Sequence, residues 1–490
     1  MRRSAALHVV LLAAECEPWA KTGGLADAVD ALARALGQVA GADLELPIEV
    51  FLPRYAGMQV PPERVITERR VRVPDALAGP AVTTEATIVD VDADGYRLRL
   101  VDLPAAFDRP GGYYGDASGD YPDNAWRFGL FCRAALAILE AEGRRPDLLH
   151  VHDWHAAPVL RYAGPATASL LTVHNLAYHG WTPPDRVSQL GPEWAVATGT
   201  SAPGVDLLAA GIGLADLVNT VSPGFAAEAL GPAFGMGLDG DLRARGDRFF
   251  GILNGLDTDL WNPATDAAIA APYARADRRG KAACRTDLLE RVGFDPSDAE
   301  PVIGMIGRLD PQKGFDLLAE AAPALLADGF RLVIQGSGPP ELVGGLRRLA
   351  ARRPDAVALI ERFDREMARR IYAGTDGFLM PSRFEPCGTG QMVALRYGTP
   401  PIVHATGGLA DTVVDEFDHP GAGTGFVFRH ATAHGLLWAC REFALRFRAG
   451  GDAWEALLDR GMVVDFDWRT AAAPAYVAAY RRAVALHRSA

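Results

Sequence analysis

The hexapeptide TGGLAD occurs twice in this chain, at residues 22–27 and at residues 406–411, and its surroundings decide the fold. HVVLLAAE precedes the first copy and PPIVHA the second, and both are apolar runs typical of a buried strand. Each copy leads into residues with helical spacing, so the turn joins a strand to a helix. The repeat therefore predicts two parallel α/β sheets, one towards each end of the chain.

The alternation of strand-like and helix-like stretches extends outward from both copies. LLHVHD precedes WHAAPVLRYA in the first half, and the pattern restarts near Pro301, where VIGMIGRLD precedes GFDLLAEAAPALLADG. Between them, NGLDTDLWNPATD has the composition of a linker. The sequence predicts two doubly wound domains over residues 1–256 and 257–471, and a terminal helix over 472–490 that we expect to pack back on the first.

Composition excludes several classes of protein. The formal charge of −12 over 490 residues argues against a protein that coats nucleic acid or an anionic membrane. No stretch approaches the roughly 18 apolar residues of a membrane span. The N-terminal MRRSAALHVVLLAAEC has the arginines of a signal peptide, but His8 interrupts its apolar run, which favours a first strand. The five cysteines are scattered without a CxxC pair, which favours a cytoplasmic location.

The first glycine turn, KTGGLADAV, is a candidate phosphate site. Ligands of open parallel sheets bind beyond the carboxyl ends of the strands, where backbone amides and helix N-termini attract anions. Lys21 would add a full positive charge. The Walker and GxGxxG spacings are both absent, so a simple connection between strand and helix remains an alternative on this stretch alone.

In the second half, GRLDPQKGFD places Arg308 and Lys313 around a turn between a strand and a helix. Cations at a helix N-terminus oppose the macrodipole, which prefers negative charge there. An anion docked between the two side chains would be attracted both by the two cations and by the helix N-terminus. The alternative is a pair of solvated surface cations.

A carboxylate and several histidines complete the candidates. Glu385, in PSRFEPCGTG, either caps the next helix or binds a sugar hydroxyl. His150, His152 and His155 have no accompanying carboxylate cluster, which disfavours a metal site. His174 follows a strand in a loop and is the histidine we expect to meet a ligand.

Ten motifs in order make the chain resemble bacterial glycogen synthases and plant starch synthases. The resemblance runs from about Val9 to about Tyr480. The motifs are KTGGLADAV, YPDNAWRF, HVHDWHA, TVHNLAYHG, TVSPGFAAE, NGLDTDLWNP, GRLDPQKGFD, PSRFEPCG, ALRYG and TGGLADTV. Such a string is far more specific than any one of its members.

The resemblance implies the GT-B architecture, two Rossmann-like domains facing each other across a deep cleft. It also implies retaining transfer of glucose from ADP-glucose to the non-reducing 4-hydroxyl of an α-1,4-glucan, without a metal or other cofactor. Arg308 and Lys313 would bind the diphosphate, Glu385 the donor-sugar hydroxyls, and His174 would lie against the glucose. The further donor-binding residues implied are Lys21, Gly23, Gly24, Asp27, Asn254, Cys387, Gly388, Gly407 and Gly408.

The chain also departs from the family pattern. Thr389-Gly390-Gln391 stands where the family has Leu-Thr-Gln after EPCG, and Ala209 where it has lysine, after an atypical stretch from Trp181 to Leu208. These changes leave donor and acceptor choice open. A related GT-B transferase with another donor or acceptor, or a catalytically weak glucan-binding protein, are therefore alternatives to a glucan synthase.

Overall fold

The computed structural model describes residues 6–39, 41, 43–79, 82–197 and 204–489. The chain divides into two compact units, the first made of Met1–Val221, Ala226–Gly255 and Trp468–Ala490, the second of Ser222–Phe225 and Leu256–Asp467. The main chain thus enters the second unit after Gly255, next to the boundary predicted after residue 256, and leaves it at residue 468 rather than 472. The assignment of Ser222–Phe225 to the second unit, before the chain returns to the first, was not predicted.

Strands and helices alternate along both units. The strands are β1 (Val9–Leu12), β2 (Glu49–Pro53), β3 (Val65–Pro74), β4 (Thr83–Asp92), β5 (Arg97–Asp102), β6 (Gly115–Asp116), β7 (Gly119–Asp120), β8 (Leu148–His152), β9 (Ala168–Val173), β10 (Trp181–Thr182), β11 (Val205–Asp206), β12 (Leu217–Thr220), β13 (Phe249–Gly251), β14 (Val302–Ile306), β15 (Arg331–Gln335), β16 (Val357–Ile360), β17 (Gly377–Met380), β18 (Pro401–His404) and β19 (Phe426–Phe428). The helices are α1 (Gly24–Val39), α2 (Pro104–Phe107), α3 (Asn124–Ala141), α4 (Asp153–Ala156), α5 (Pro158–Ala163), α6 (Leu207–Leu214), α7 (Pro223–Ala229), α8 (Asp239–Ala244), α9 (Arg279–Val292), α10 (Phe315–Ala327), α11 (Pro340–Arg352), α12 (Arg365–Gly374), α13 (Gly390–Arg396), α14 (Gly407–Thr412), α15 (Ala433–Ala449), α16 (Gly451–Val463) and α17 (Ala473–Ser489). None of these helices is both long and apolar enough to cross a membrane.

The first unit is built on one large sheet with the strand order β13-β12-β9-β8-β1-β2-β5-β4-β3. The strands from β13 to β5 are parallel, and β1 in the middle is completely buried. At one edge, β5, β4 and β3 continue the sheet as an antiparallel meander. This meander was not predicted, although β4 and β5 flank Asp94-Gly95, a turn sequence typical of hairpins.

The second unit has a fully parallel sheet with the order β16-β15-β14-β17-β18-β19. Its core includes Leu318 and Leu325 of α10, Ile334 of β15 and Phe443 of α15, all buried. From β14 the strands follow the chain towards β16 on one side and from β17 to β19 on the other, so the strand order reverses between β14 and β17. Doubly wound sheets bind ligands at such a switch point. The prediction of a parallel α/β sheet in each half of the chain is confirmed.

The C-terminal helix α17 packs against β9 and α1 of the first unit. Two buried tyrosines on this helix reach the sheet. Tyr476 accepts a hydrogen bond from Asn219 Nδ2 at 3.3 Å, and the Tyr480 hydroxyl lies 2.9 Å from His150 Nδ1. The chain end therefore contributes hydrogen bonds as well as apolar contacts to the first unit.

Candidate active site

An ion pair between a partly exposed lysine and a buried glutamate lies at the carboxyl ends of β14 and β17. Lys313 Nζ is 2.5 Å from Glu385 Oε2, and Ser382 Oγ donates to the same oxygen at 3.1 Å. Glu385 is 6% exposed, so its charge is withdrawn from water and needs these partners. Asp310 positions the lysine by accepting a hydrogen bond from the Lys313 amide at 3.0 Å. Glu385 is therefore part of an ion pair and not a helix cap.

Arg308 stands beside this pair with its side chain 59% exposed. Its Nη2 lies 3.6 Å from Asp310 Oδ2 and 3.5 Å from Gln312 Oε1, which are long contacts for hydrogen bonds. The guanidinium therefore keeps most of its hydrogen-bonding capacity for a ligand. The two cations found in the sequence lie on one turn at the end of β14, as predicted.

The second glycine turn packs against the loop that carries the glutamate. A Cβ atom at Gly407 would lie 2.1 Å from Glu385 O, and one at Gly408 would lie 2.1 Å from Cys387 O. The Gly408 amide donates to Glu385 O at 3.1 Å. Close approach of backbone to backbone thus accounts for both glycines. The Gly408 amide, expected to face the donor, is already used within the protein.

Gln391 ties the same loop to the helix that follows. Its Nε2 donates to the carbonyls of Cys387 and Gly388, at 3.1 and 3.0 Å, and to Thr412 Oγ1. Gly388 has a φ of +70°, which favours glycine at this turn. Of the residues that depart from the family pattern here, Thr389 is exposed and its side chain makes no hydrogen bond that caps α13.

In the first unit, a buried carboxylate holds the KTGG loop. Glu15, 3% exposed, accepts hydrogen bonds from the amides of Thr22 and Gly23, at 2.6 and 3.2 Å. Its other oxygen accepts from the hydroxyls of Thr22 and Tyr114, at 2.5 and 2.6 Å. The loop is therefore shaped by an acidic residue that the sequence analysis overlooked, although it ends the first strand-like run.

The two copies of the turn differ in their surroundings. A Cβ atom at Gly23 or Gly24 would meet nothing within 4 Å, so protein packing does not require glycine in the first copy. Lys21 Nζ, beside them, pairs with Asp27 at 2.5 Å and with Glu17 at 3.4 Å. The glycines of the first copy thus have free space around them and a lysine beside them, whereas the glycines of the second copy pack against the backbone of Glu385 and Cys387.

His174 lies at the end of β9 in a polar cluster. Its amide donates to Asp153 Oδ1 at 2.7 Å, and its Nε2 lies 3.0 Å from His152 Nδ1. Burial lowers the pKa of His174 to about 3, so the ring is neutral at pH 7. Burial raises the pKa of Asp153 to about 7, against the opposing effect of two backbone amides. A neutral imidazole therefore sits beside a carboxyl that titrates near neutrality.

Asp153 has a second unusual property, a φ of +55°. A non-glycine residue in this conformation is strained and often marks a functional site. The motif HVHDWH indicated only its histidines as candidate ligands. The sequence did not indicate four residues that lie beside the predicted ones in the two units: Asp153, Glu15, Tyr114 and Ser382.

Of the remaining predicted residues, His150 is a structural histidine, bonded to Thr172 Oγ1 at 2.7 Å and to Tyr480. No group of three or more histidines, cysteines or acids that could hold a metal ion occurs in the described part of the chain.

Asn254 is 8% exposed, and its Oδ1 is buried without a hydrogen-bond partner among the described residues. An orphaned acceptor of this kind needs an explanation, and a bound ligand is one.

Comparison with known proteins gives the class. Residues 8–244 match the family model for the starch synthase catalytic domain, and residues 290–444 match that for glycosyl transferases group 1. The solved catalytic domain of starch synthase IV from Arabidopsis thaliana, bound to ADP and acarbose, superposes with a TM-score of 0.87 at 32% identity, covering 98% of this chain and all of that one. A sucrose-phosphate synthase from Thermosynechococcus elongatus, at 20% identity and a TM-score of 0.60 over 97% of this chain and 99% of that one, shares the fold. The chain is a glycosyltransferase of the GT-B fold class.

Relatives of similar length give the family. The glycogen synthase of Syntrophotalea carbinolica is 40% identical over 99% of this chain and all of that protein. The glycogen synthase of an Anaeromyxobacter species is 42% identical over 97% of this chain and 99% of its own length. The chain belongs to the glycogen synthase and starch synthase family.

Proposed function

We propose that this glycosyltransferase moves glucose from ADP-glucose to the non-reducing 4-hydroxyl of an α-1,4-glucan, with retention of the anomeric configuration. The observation that carries the proposal is the group formed by Arg308, Lys313 and the buried Glu385 at strand ends of the second unit. This group can hold both parts of a nucleotide sugar, because two cations suit a diphosphate and a carboxylate suits sugar hydroxyls. Membership of the family supports the choice of donor and acceptor.

The chemistry assigned to each residue follows from its contacts. The Lys313 ammonium has three protons, and only one is needed for Glu385, so the others remain for a diphosphate oxygen. Glu385 uses Oε2 for both Lys313 and Ser382, which leaves Oε1 to accept from a donor-sugar hydroxyl. Arg308, already exposed, needs little rearrangement to bind the diphosphate.

We propose that the two cations stabilise the charge that develops on the leaving diphosphate, a role that a metal ion fills in other enzymes. The leaving phosphate itself would accept the proton of the acceptor hydroxyl, since the Glu385 carboxylate is already bound by Lys313 and Ser382 and is no obvious nucleophile. The reaction would then need no metal, and turnover should be the same after EDTA treatment and dialysis. A loss restored by a divalent cation would contradict this part of the proposal.

In the first unit, we propose that the cluster of His174, Asp153 and the open KTGG loop contacts the sugar and phosphate groups of the substrates. The neutral His174 ring can donate or accept a hydrogen bond to a sugar hydroxyl without adding charge. Gly23 and Gly24 leave room for a phosphate beside Lys21. Asn254 Oδ1 supplies an acceptor that has no hydrogen-bond partner in the part of the chain that the structure describes, and Asp27 pairs with the lysine.

The test offers ADP-glucose, UDP-glucose and GDP-glucose, each with glycogen and with maltooligosaccharides, and measures release of the nucleoside diphosphate. We expect acceptor-dependent release that is fastest with ADP-glucose, and new α-1,4 linkages by proton NMR. Release from none of the donors would overturn the proposal, and preference for another donor would favour the related transferase. A cytoplasmic location, which the five scattered cysteines without a CxxC pair favour, is checked by cell fractionation.

A further inference from the structure

Three histidine rings lie in a row at the ends of β8 and β9 in the first unit. The ring centroids of His150 and His152 are 4.2 Å apart, and those of His152 and His174 are 5.2 Å apart. The proposed function uses only His174, at one end of the row. In a neutral histidine, the hydrogen bond made by one ring nitrogen decides which nitrogen carries the proton. The contacts of the other two rings therefore bear on what His174 can offer a sugar.

The first ring, that of His150, has both nitrogens engaged. Asn219 Nδ2 donates to Thr220 O at 3.3 Å, so its Oδ1 is the atom that accepts from Thr172 Oγ1, at 2.7 Å. The single hydroxyl proton of Thr172 is thus used, and Oγ1 must accept from His150 Nε2, at 2.7 Å. Burial lowers the pKa of His150 to about 3, so the ring is neutral and its Nδ1 accepts from the Tyr480 hydroxyl at 2.9 Å. Neither nitrogen of His150 remains for its neighbour.

The second and third rings are joined through one nitrogen each. His152 Nδ1 lies 3.0 Å from His174 Nε2, a distance at which one of the two atoms donates to the other. Burial lowers the pKa of both rings well below the ordinary value, so each is neutral and carries one ring proton. Because Nε2 of His174 is engaged by His152, Nδ1 is the nitrogen that His174 has left for a ligand.

The other nitrogen of His152 decides the direction of this hydrogen bond. His152 Nε2 is buried, and no residue within the described ranges offers it a hydrogen bond. If His174 were the donor, the proton of His152 would lie on Nε2, as a buried N–H without an acceptor, which is rare in proteins. If His152 Nδ1 is the donor, Nε2 carries no proton, and the proton of His174 lies on its Nδ1.

We propose that His152 is a positioning residue for the transferase: its Nδ1 donates to His174 Nε2, so that His174 presents a protonated Nδ1 to the substrate. The sugar oxygen that meets this nitrogen accepts a hydrogen bond and must direct its own proton elsewhere. The inference rests on the proposed function, because it assumes that His174 contacts a sugar group. It adds a residue that touches no substrate and acts through the ring beside it.

Nitrogen-15 NMR of the full chain, labelled at histidine, tests the proton position, because protonated and bare ring nitrogens differ in chemical shift. The signals of His174 are assigned by their loss in His174→Gln. We expect His174 of the wild type to be protonated on Nδ1 at pH 7. His152→Phe removes the donor and should shift His174 towards the other tautomer. His152→Asn, whose amide can donate from the place of Nδ1, should keep the wild-type tautomer.

Steady-state kinetics with ADP-glucose and glycogen tests the consequence for transfer. In His152→Phe, kcat/KM should fall about 10–100-fold, the usual effect of removing a residue that orients a functional histidine, and His152→Asn should recover part of this loss. The matched control is Tyr480→Phe, which removes a hydrogen bond to His150 in the same row but none to His174. It should keep both the tautomer and the kcat/KM of the wild type.

Three results would overturn the proposal. They are a proton on Nε2 of His174 in the wild type, an unchanged kcat/KM in His152→Phe, and an equal loss in Tyr480→Phe. The tautomer is measured on the free protein and needs no transfer. A protein with the expected tautomers that transfers no glucose would therefore contradict the proposed function and leave the proton assignment intact.

Discussion

The two copies of TGGLAD should respond differently to the same substitution. In Gly408→Ala the new Cβ would lie 2.1 Å from Cys387 O, where ordinary contact begins at about 3.4 Å. The loop from Glu385 to Cys387 must therefore move by about 1.3 Å, because the obstacle is backbone and cannot rotate away. Overpacking of this kind costs about 1–3 kcal/mol in the free energy of unfolding.

The same displacement reaches the chemistry, since Glu385 precedes Cys387 by two residues and its carbonyl accepts from the Gly408 amide. A misplacement of about 1 Å lowers turnover roughly 10²-fold. Gly408→Ala should therefore lose both stability and turnover, while Gly24→Ala should keep its stability within about 0.5 kcal/mol. If a donor phosphate approaches the first copy as proposed, Gly24→Ala raises only the KM for ADP-glucose.

Chemical denaturation and steady-state release of ADP, measured on both variants, check these expectations. Full stability and turnover in Gly408→Ala would refute the packing argument for the second copy. Loss of stability in Gly24→Ala would show that the first copy is not open. Equal behaviour of the two variants would contradict the conclusion that the copies have different roles.

Three further predictions concern stability. Burial lowers the pKa of four histidines, so only the unfolded chain binds their protons, and the free energy of unfolding should fall by roughly 5–6 kcal/mol in all between pH 7.5 and 5.5. Asp153, whose pKa burial raises to about 7, takes up its proton in the folded protein and should offset about 2 kcal/mol of this loss. Chemical denaturation at the two pH values should therefore show a net loss of roughly 3–4 kcal/mol, and unchanged stability would contradict the prediction. The four are His150, His152, His155 and His174. Glu15→Gln places an amide against donors of the KTGG loop and should lower the free energy of unfolding by about 1–3 kcal/mol, as measured by chemical denaturation. The comparison variant Glu17→Gln weakens only the 3.4 Å contact between a partly exposed carboxylate and Lys21, and should cost less than about 0.5 kcal/mol. Equal losses in the two variants would contradict the role of Glu15. Tyr480→Phe should cost about 1 kcal/mol by removing the hydrogen bond to His150, and an unaltered midpoint would show that this contact does not help to hold α17.

The sequence predicted the parallel sheets because strand and helix periods are local properties of the chain. Arg308 and Lys313 could be found together for the same reason, since they share one turn. The roles of Gly407 and Gly408 could not, because the atoms that exclude a side chain there belong to Glu385 and Cys387, about 20 residues earlier in the chain.

Burial explains the other residues that were missed. Glu15 and Asp153 are ordinary acids in the sequence, and their importance comes from being enclosed by loops that follow other strands. The meander of β3, β4 and β5 had a local signal at Asp94-Gly95 and could have been predicted.

The central claim is that the group of Arg308, Lys313 and Glu385 binds and activates the donor diphosphate. The most direct measurement is the turnover of Lys313→Ala with ADP-glucose and glycogen, together with its unfolding midpoint. We expect acceptor-dependent ADP release to fall about 10²–10³-fold for Lys313→Ala while the protein remains folded. Turnover equal to that of the wild type would contradict the account.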